Sequence, residues 1–471
     1  MRQFFTLLLF FSFWANWGVA QNAKDVPEAV RFIKLGNTLR AVDKPQQAID
    51  ILVRALPAVR GKDPYWEAVA YENLGLTFYD QENSLDAVRY FQKALDLYKQ
   101  LNFAASETAM RELIGELNGS NLYAGIDIGA SGVKLAIFRT KYENGFYTKD
   151  IKSKPDAPNV TLVSGTAQSF QIGRDVMKAY LDSINKYNIP KERIYIAFSS
   201  GINESLGKMP GQKRKLYEQL IALAPNRNLR IDTTLTAARE AELFTVGSVP
   251  RRVWQTTSCM DFGSGNVKGG YFDANKNFHA ISFPLGTKSL VLQIEKKGSL
   301  DLEAFKKEAQ KAVKAIADTS INVEFNTGHV GLQQRKTVAL GGGITWALVS
   351  YLYPDKANMT AVPITIADVE RFRSAAQSAY QALINPDLTD IADPAIRAKA
   401  VRDVGNVQNQ FNQKQIIAGS LLLEAVVKAY TNTAVGKRFV FIRDSDIGWV
   451  TGKFLESINR EYEQKIAAGG R

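Results

Sequence analysis

The chain makes one demanding construction twice. In "AGIDIGASGVKLAIF" (Ala124–Phe138) an apolar run meets Asp127, passes Gly129 and Gly132, and becomes apolar again. In "CMDFGSGNVKGGYF" (Cys259–Phe272) a second apolar run meets Asp261, passes Gly263, Ser264 and Gly265, and returns. Apolar runs on both sides of so few residues predict a β-hairpin, not a strand that enters a helix. That argues against a dinucleotide fingerprint or a Walker loop, both of which need a helix after the glycines. A hairpin lined by bare glycines exposes several backbone N–H groups, which suits a phosphate. Asp127 and Asp261 would then stand where a carboxylate can hold a hydrated Mg2+ beside that phosphate. For either hairpin alone, an ordinary tight turn is the alternative. "VALGGG" (Val338–Gly343) is a third apolar strand that runs into glycines, Gly341, Gly342 and Gly343. The two aspartates lie 134 residues apart, so two similar half-domains facing one another across a cleft are expected.

The rest of the chain supplies the frame. Strand-like stretches alternate with amphipathic helical ones from residue 122 onward, which predicts an α/β body. Its expected halves are 122–253 and 254–436, with 437–471 packing back on the first. Residues 21–117 are different. "FIKLGNTLRAVDKPQQAIDILVRAL" from Phe32 and "YENLGLTFYDQENSLDAVRYFQKAL" from Tyr71 repeat with a shift of 39 residues. Leu35-Gly36 matches Leu74-Gly75, Ala48 matches Ala87, Leu52 matches Phe91 and Ala55 matches Ala94. This resembles two tetratricopeptide repeats, whose usual period is about 34 residues, with "AASETAMRELIGEL" (Ala104–Leu117) as a cap. Two repeats are few for independent stability, so docking or a homodimer is expected. A groove for a protein partner and a purely structural cap are both open readings. "NGSN" (Asn118–Asn121) is the linker.

Residues 1–20 carry Arg2, the apolar "FFTLLLFFSF" and the small residues of "GVA", the pattern of a signal peptide cut after Ala20. An uncleaved anchor is the alternative; no later segment is long and apolar enough to span a bilayer. Export to the periplasm is therefore expected. The single Cys259 allows no internal disulfide and the two histidines exclude a His-rich metal site. A net charge of +12 favours anionic partners such as polyphosphate. The clusters Lys213–Lys215 and Arg251–Arg252 read equally as solvated surface, and no aromatic residues interleave with them as single-stranded nucleic acid would require.

Several stretches occur in an order that resembles the exopolyphosphatase/guanosine pentaphosphate phosphohydrolase (Ppx/GppA) family of the actin/Hsp70/sugar-kinase superfamily. They are "GIDIGASGVKLAIF", "AFSSGINES", "TAAREAELFTVGSV", "MDFGSGNVKGGYF", "FPLGTKSL", "VALGGGITWAL", "QIIAGSLLLEAVVKAY" and "FIRDSDIGWVTGKFLE". The resemblance implies two ribonuclease-H-like (actin-like ATPase) half-domains around a cleft, preceded by the all-α repeats. It implies Mg2+-dependent release of a terminal phosphate from polyphosphate or a related anion. Glu240 would polarise the water, with Glu242 facing elsewhere on its helix. Gly129, Ser131, Gly132, Lys134, Gly263, Ser264, Gly265 and Asn266 would hold phosphate, and Asp127 and Asp261 the metal. This chain departs from the family pattern in four places. Lys134 stands for an arginine, Lys268 for an acid, Ile202 lies near a missing arginine, and Arg239 stands where the family's paired acids begin. A phosphate-ligand sensor acting through the repeats is therefore the second reading, and a sugar or acetate kinase a third.

Overall fold

The structure, a computed structural model, describes residues 21–118, 121–143, 146–156, 158–223 and 229–469. The expected signal peptide and positions 119–120 of the linker lie outside the described residues. The chain divides into two compact units, the second spanning 120–461.

The first unit holds five helices, Val26–Ala41, Pro45–Val59, Pro64–Asp80, Ser84–Gln100 and Ala104–Leu117. Their starts are written locally. Asp25, Asp63 and Asn83 each accept a hydrogen bond from a backbone N–H in the first turn, and proline occupies the first turn of the first three helices. The repeat has a packing reason. A Cβ on Gly36 would lie 2.6 Å from the Leu52 side chain, and one on Gly75 would lie 2.5 Å from Phe91. The bare helix of each pair therefore receives the large side chain of its partner. Ala48, Ala55, Ala87 and Ala94 are fully buried for the same reason.

The second unit contains two sheets on one plan. The first is built from β1 (Leu122–Gly129), β2 (Gly132–Glu143), β3 (Phe146–Ser153), β4 (Ile194–Phe198) and β5 (Ile231–Asp232), in the order β3-β2-β1-β4-β5. The second comprises β6 (Thr257–Phe262), β7 (Val267–Phe272), β8 (Phe278–Phe283), β9 (Thr337–Gly342), β10 (Ala361–Ile364) and β11 (Arg438–Ile442), in the order β10-β11-β9-β6-β7-β8. Each begins with an antiparallel meander, β1-β2-β3 or β6-β7-β8, and continues with parallel strands on the far side, β4 and β5 beyond β1 and β9 and β11 beyond β6; β10 closes the second sheet as an antiparallel edge. Each sheet has its own core, around Ile126, Phe170 and Phe198 in one and Met260, Leu340 and Tyr430 in the other. A third apolar cluster joins Ala136 and Ala197 of the first sheet to Cys259 and Ala339 of the second through Leu243, Phe244 and Trp449. Cys259 is fully buried there, and burial pushes its thiol up to about 12.

One boundary moves. The segment expected to return to the first half from residue 437 begins instead as β11, which pairs with β9 and β10 in the second sheet. Parallel pairing with β9 satisfies its backbone groups there. The helix Gly448–Gly469 that follows sets Val450 against Gly125, and Phe454 against Tyr123, on the first sheet. No described helix is long and apolar enough to cross a membrane.

Candidate functional site

Both hairpins open into one cavity of about 850 Å3 between the two sheets. Asp127, Gly129 and Ser131 line it from the first hairpin, and Asp261, Gly263, Ser264, Gly265 and Asn266 from the second. Gly342 and Gly343 reach it from the third glycine loop. Gly342 has φ +89°, a conformation that favours glycine, and leads into the helix Gly343–Leu352. Gly341 serves packing: an added Cβ would lie 2.6 Å from Phe244. Gly132 is at the turn itself, paired with Gly129, and is not among the cavity-lining residues.

The halves touch at their barest points. A Cβ on Gly265 would lie 2.8 Å from the Cα of Gly201. The second turn is held from behind by "FPLGTKSL". Backbone N–H groups of Thr287, Lys288 and Ser289 donate to the carbonyls of Gly263 and Ser264 at 2.9–3.2 Å, and Ser289 donates its hydroxyl to Gly265 O at 2.7 Å. With its carbonyls bound behind, the loop is fixed beside the cavity.

The two hairpins place Asp opposite Lys in register, Asp127 with Lys134 and Asp261 with Lys268. Residues directly opposed on antiparallel strands share a face. Lys268 is almost wholly buried and lies 3.0 Å from Asp261 Oδ2 and 2.9 Å from Glu240 Oε1. It also donates to Asn266 Oδ1 at 3.2 Å. Burial opposes its charge, but Asp261 and Glu240 together outweigh that and hold its pKa above the usual lysine value. The second Glu240 oxygen accepts the Ser200 N–H at 2.5 Å. Both oxygens of the expected water-polarising acid thus have partners. Glu242 bonds to Arg239 instead, which is also paired with Glu456.

Asp127 is treated differently. It is 5% exposed, and its Oδ1 has no hydrogen-bond partner. Burial pushes its pKa up to about 7; Lys134 and Lys268 pull it down, while Glu240 and Asp261 push it further up. Lys134 leans toward Asp446 Oδ2, 3.7 Å away. Asp446 also pairs with Lys154 at 2.7 Å.

These residues do not fit a divalent ion beside Asp261, one of the two acids expected to hold the metal: the ammonium of Lys268 lies between Asp261 and Glu240, 3.0 Å and 2.9 Å from their oxygens. Asp127, the other expected acid, keeps its Oδ1 without a partner. Among the described residues no group of three or more His, Cys, Asp or Glu is arranged to hold a metal ion.

Sequence reasoning missed Lys288 and Asn159. Lys288 is 1% exposed and donates to Asn159 Oδ1 at 2.5 Å; burial, then Lys134, lower its pKa to about 8. Asn159 lines the cavity and bonds to the carbonyls of Asn409 and Gln410 in the second half. A lysine inside an apolar motif such as "FPLGTKSL" was the available signal.

Known proteins agree with this arrangement at the level of fold. Residues 29–100 match the tetratricopeptide repeat family. No curated protein matches the sequence. Among solved structures, that of an exopolyphosphatase-like protein matches with a TM-score of 0.51 at 14% identity, covering 72% of this chain and 98% of that one. The α/β body has the exopolyphosphatase-like fold. A Ppx/GppA family member from Aquifex aeolicus matches at TM-score 0.45 and 17% identity, covering 72% of this chain and 98% of that one. An exopolyphosphatase from Cytophaga hutchinsonii matches at TM-score 0.46 and 15% identity, covering 71% of this chain and 98% of its own.

Proposed function

We propose that the α/β body is an exported phosphoanhydride hydrolase of the exopolyphosphatase type, which grips the terminal phosphate of polyphosphate or a related anion. The observation that carries this reading is the free, buried Oδ1 of Asp127 at a cavity lined by three glycine loops. N–H groups of the loops that carry Gly129, Ser131, Gly263–Asn266, Gly342 and Gly343 would bind the phosphate oxygens. Lys134 and Lys288 would balance its charge. Asp127 would accept a proton from water as the water attacks phosphorus and the bridging oxygen leaves with the shortened chain. Such transfer depends mainly on positioning and fixed charge, and a carboxylate titrating near neutral pH suits proton acceptance. Glu240, bonded through both oxygens, becomes a positioning residue. The repeats would engage a protein partner in the periplasm.

A second reading is a phosphate-ligand sensor that binds without turnover. The partners on both Glu240 oxygens favour it. One assay separates the two. Phosphate release from tripolyphosphate is measured for the mature protein, with D127N and E240Q beside it. The hydrolase reading expects release that D127N abolishes and E240Q only weakens. Tight binding with no release by the wild type supports the sensor.

A further inference from the structure

We infer that Lys268 is a built-in cation that takes the place of a divalent metal, so that this clamp receives its anion without one. The ammonium has three N–H groups, and all three have acceptors: Glu240 Oε1 at 2.9 Å, Asp261 Oδ2 at 3.0 Å and Asn266 Oδ1 at 3.2 Å. The acceptors come from two directions. Asp261, Asn266 and Lys268 belong to the second hairpin, while Glu240 lies on the helix Ala237–Ser248 that follows the first sheet. The lysine therefore ties the two halves together at the floor of the cavity, as a bridging metal would.

Three physical arguments favour the tethered cation over a captured one. The side chain is already in place, so the charge is present at high local concentration whatever the metal content of the medium. Burial makes the two carboxylates costly without a positive partner, and Lys268 meets that need within the fold. A dication entering between Asp261 and Glu240 would have to displace the ammonium and would leave two like charges close together in a water-poor site. Asn266 fixes the geometry further, since its Nδ2 donates to Ser200 Oγ at 2.8 Å while its Oδ1 faces the ammonium. Its amide is thereby turned with the oxygen toward Lys268.

The inference concerns the cation and not turnover, so its test needs no hydrolysis. Mn2+ alone is titrated into the mature protein and followed by electron paramagnetic resonance. The wild type is expected to show no saturable binding. K268E, which puts a third carboxylate beside Glu240 and Asp261, is expected to bind Mn2+ saturably, at least about tenfold more tightly than the upper bound the wild-type titration sets, the size of change that altering a metal site's surroundings produces. K268Q removes only the charge; it is expected to gain affinity in the same direction and serves if K268E does not fold. In parallel, tripolyphosphate binding by the wild type is measured calorimetrically in excess EDTA and again with Mg2+, and equal affinities are expected. Saturable Mn2+ binding by the wild type would overturn the inference, whether or not the protein hydrolyses anything. So would a strict requirement of tripolyphosphate binding for Mg2+, or no gain in either variant. Absence of phosphate release would remove the hydrolase reading and leave this one standing.

Discussion

The two hairpins share a register and differ in what their lysines do. In the first, Lys134 is drawn toward Asp446 and the opposed Asp127 keeps a free oxygen. In the second, Lys268 stays with its opposed Asp261 and adds Glu240. The same cross-strand pair thus yields an available carboxylate on one side of the cavity and a neutralised one on the other. What decides is the third residue: Asp446 beside the first lysine, Glu240 beside the second. A duplicated backbone plan has been divided by charge placement into a receptive half and a locked half.

The comparison breaks most clearly at Lys268. K268M leaves Glu240 and Asp261 buried without their cation, and loss of one member of a buried pair costs about 3–5 kcal/mol. Urea unfolding should show a loss of that order; a loss under about 1 kcal/mol, the usual value of an exposed pair, would mean the lock is not one. G265A comes next. Its methyl would press on the Gly201 backbone, and such overpacking costs about 1–3 kcal/mol. It should also weaken tripolyphosphate binding, since the turn must shift; unchanged stability and affinity would show that the contact between halves is loose.

Asp127 sharpens the other side. Its pKa rises from an ordinary 3.8 to about 7 in the folded chain. The folded state therefore holds this proton more tightly than the unfolded state does. The contribution of Asp127 is most favourable below about pH 4 and is lost as pH rises toward 7, by up to about 1.4 kcal/mol per pH unit. D127N should flatten that slope in unfolding measured from pH 4 to 8, and an unaltered slope would assign it to other groups. The smallest effect belongs to K134M. This lysine is about one-third exposed at 3.7 Å from Asp446, so the change in stability should stay below about 1 kcal/mol. Tripolyphosphate affinity should fall nonetheless; a stability loss matching that of K268M would erase the contrast between the hairpins.

What could be read beforehand follows from range. The hairpins were legible because strand, carboxylate and glycine turn lie within about fifteen residues. The helical repeats were legible because Gly36 and Leu52, like Gly75 and Phe91, pack within one helical pair. The Lys268–Glu240 contact was not, because the partners lie 28 residues apart on different elements. Nor was the sheet that β11 joins, since its partners β9 and β10 lie far from it along the chain. The helix Ile366–Ser378 is separated from Tyr380–Ile384 by Ala379, whose φ is −139°. No glycine or proline marks that break in the sequence. The partners on both Glu240 oxygens were hidden likewise, because a residue's availability depends on what the fold sets beside it.

Cys259, the only sulfhydryl in the sequence, is sealed between the sheets. The native surface is therefore inert to maleimide reagents, and no background mutation is required before installing them. Lys178 and Glu303 are outward-facing positions on opposite halves, with side chains 69% and 75% exposed. Spin labels attached through K178C and E303C would give a molecular ruler for the distance between the halves, with and without tripolyphosphate.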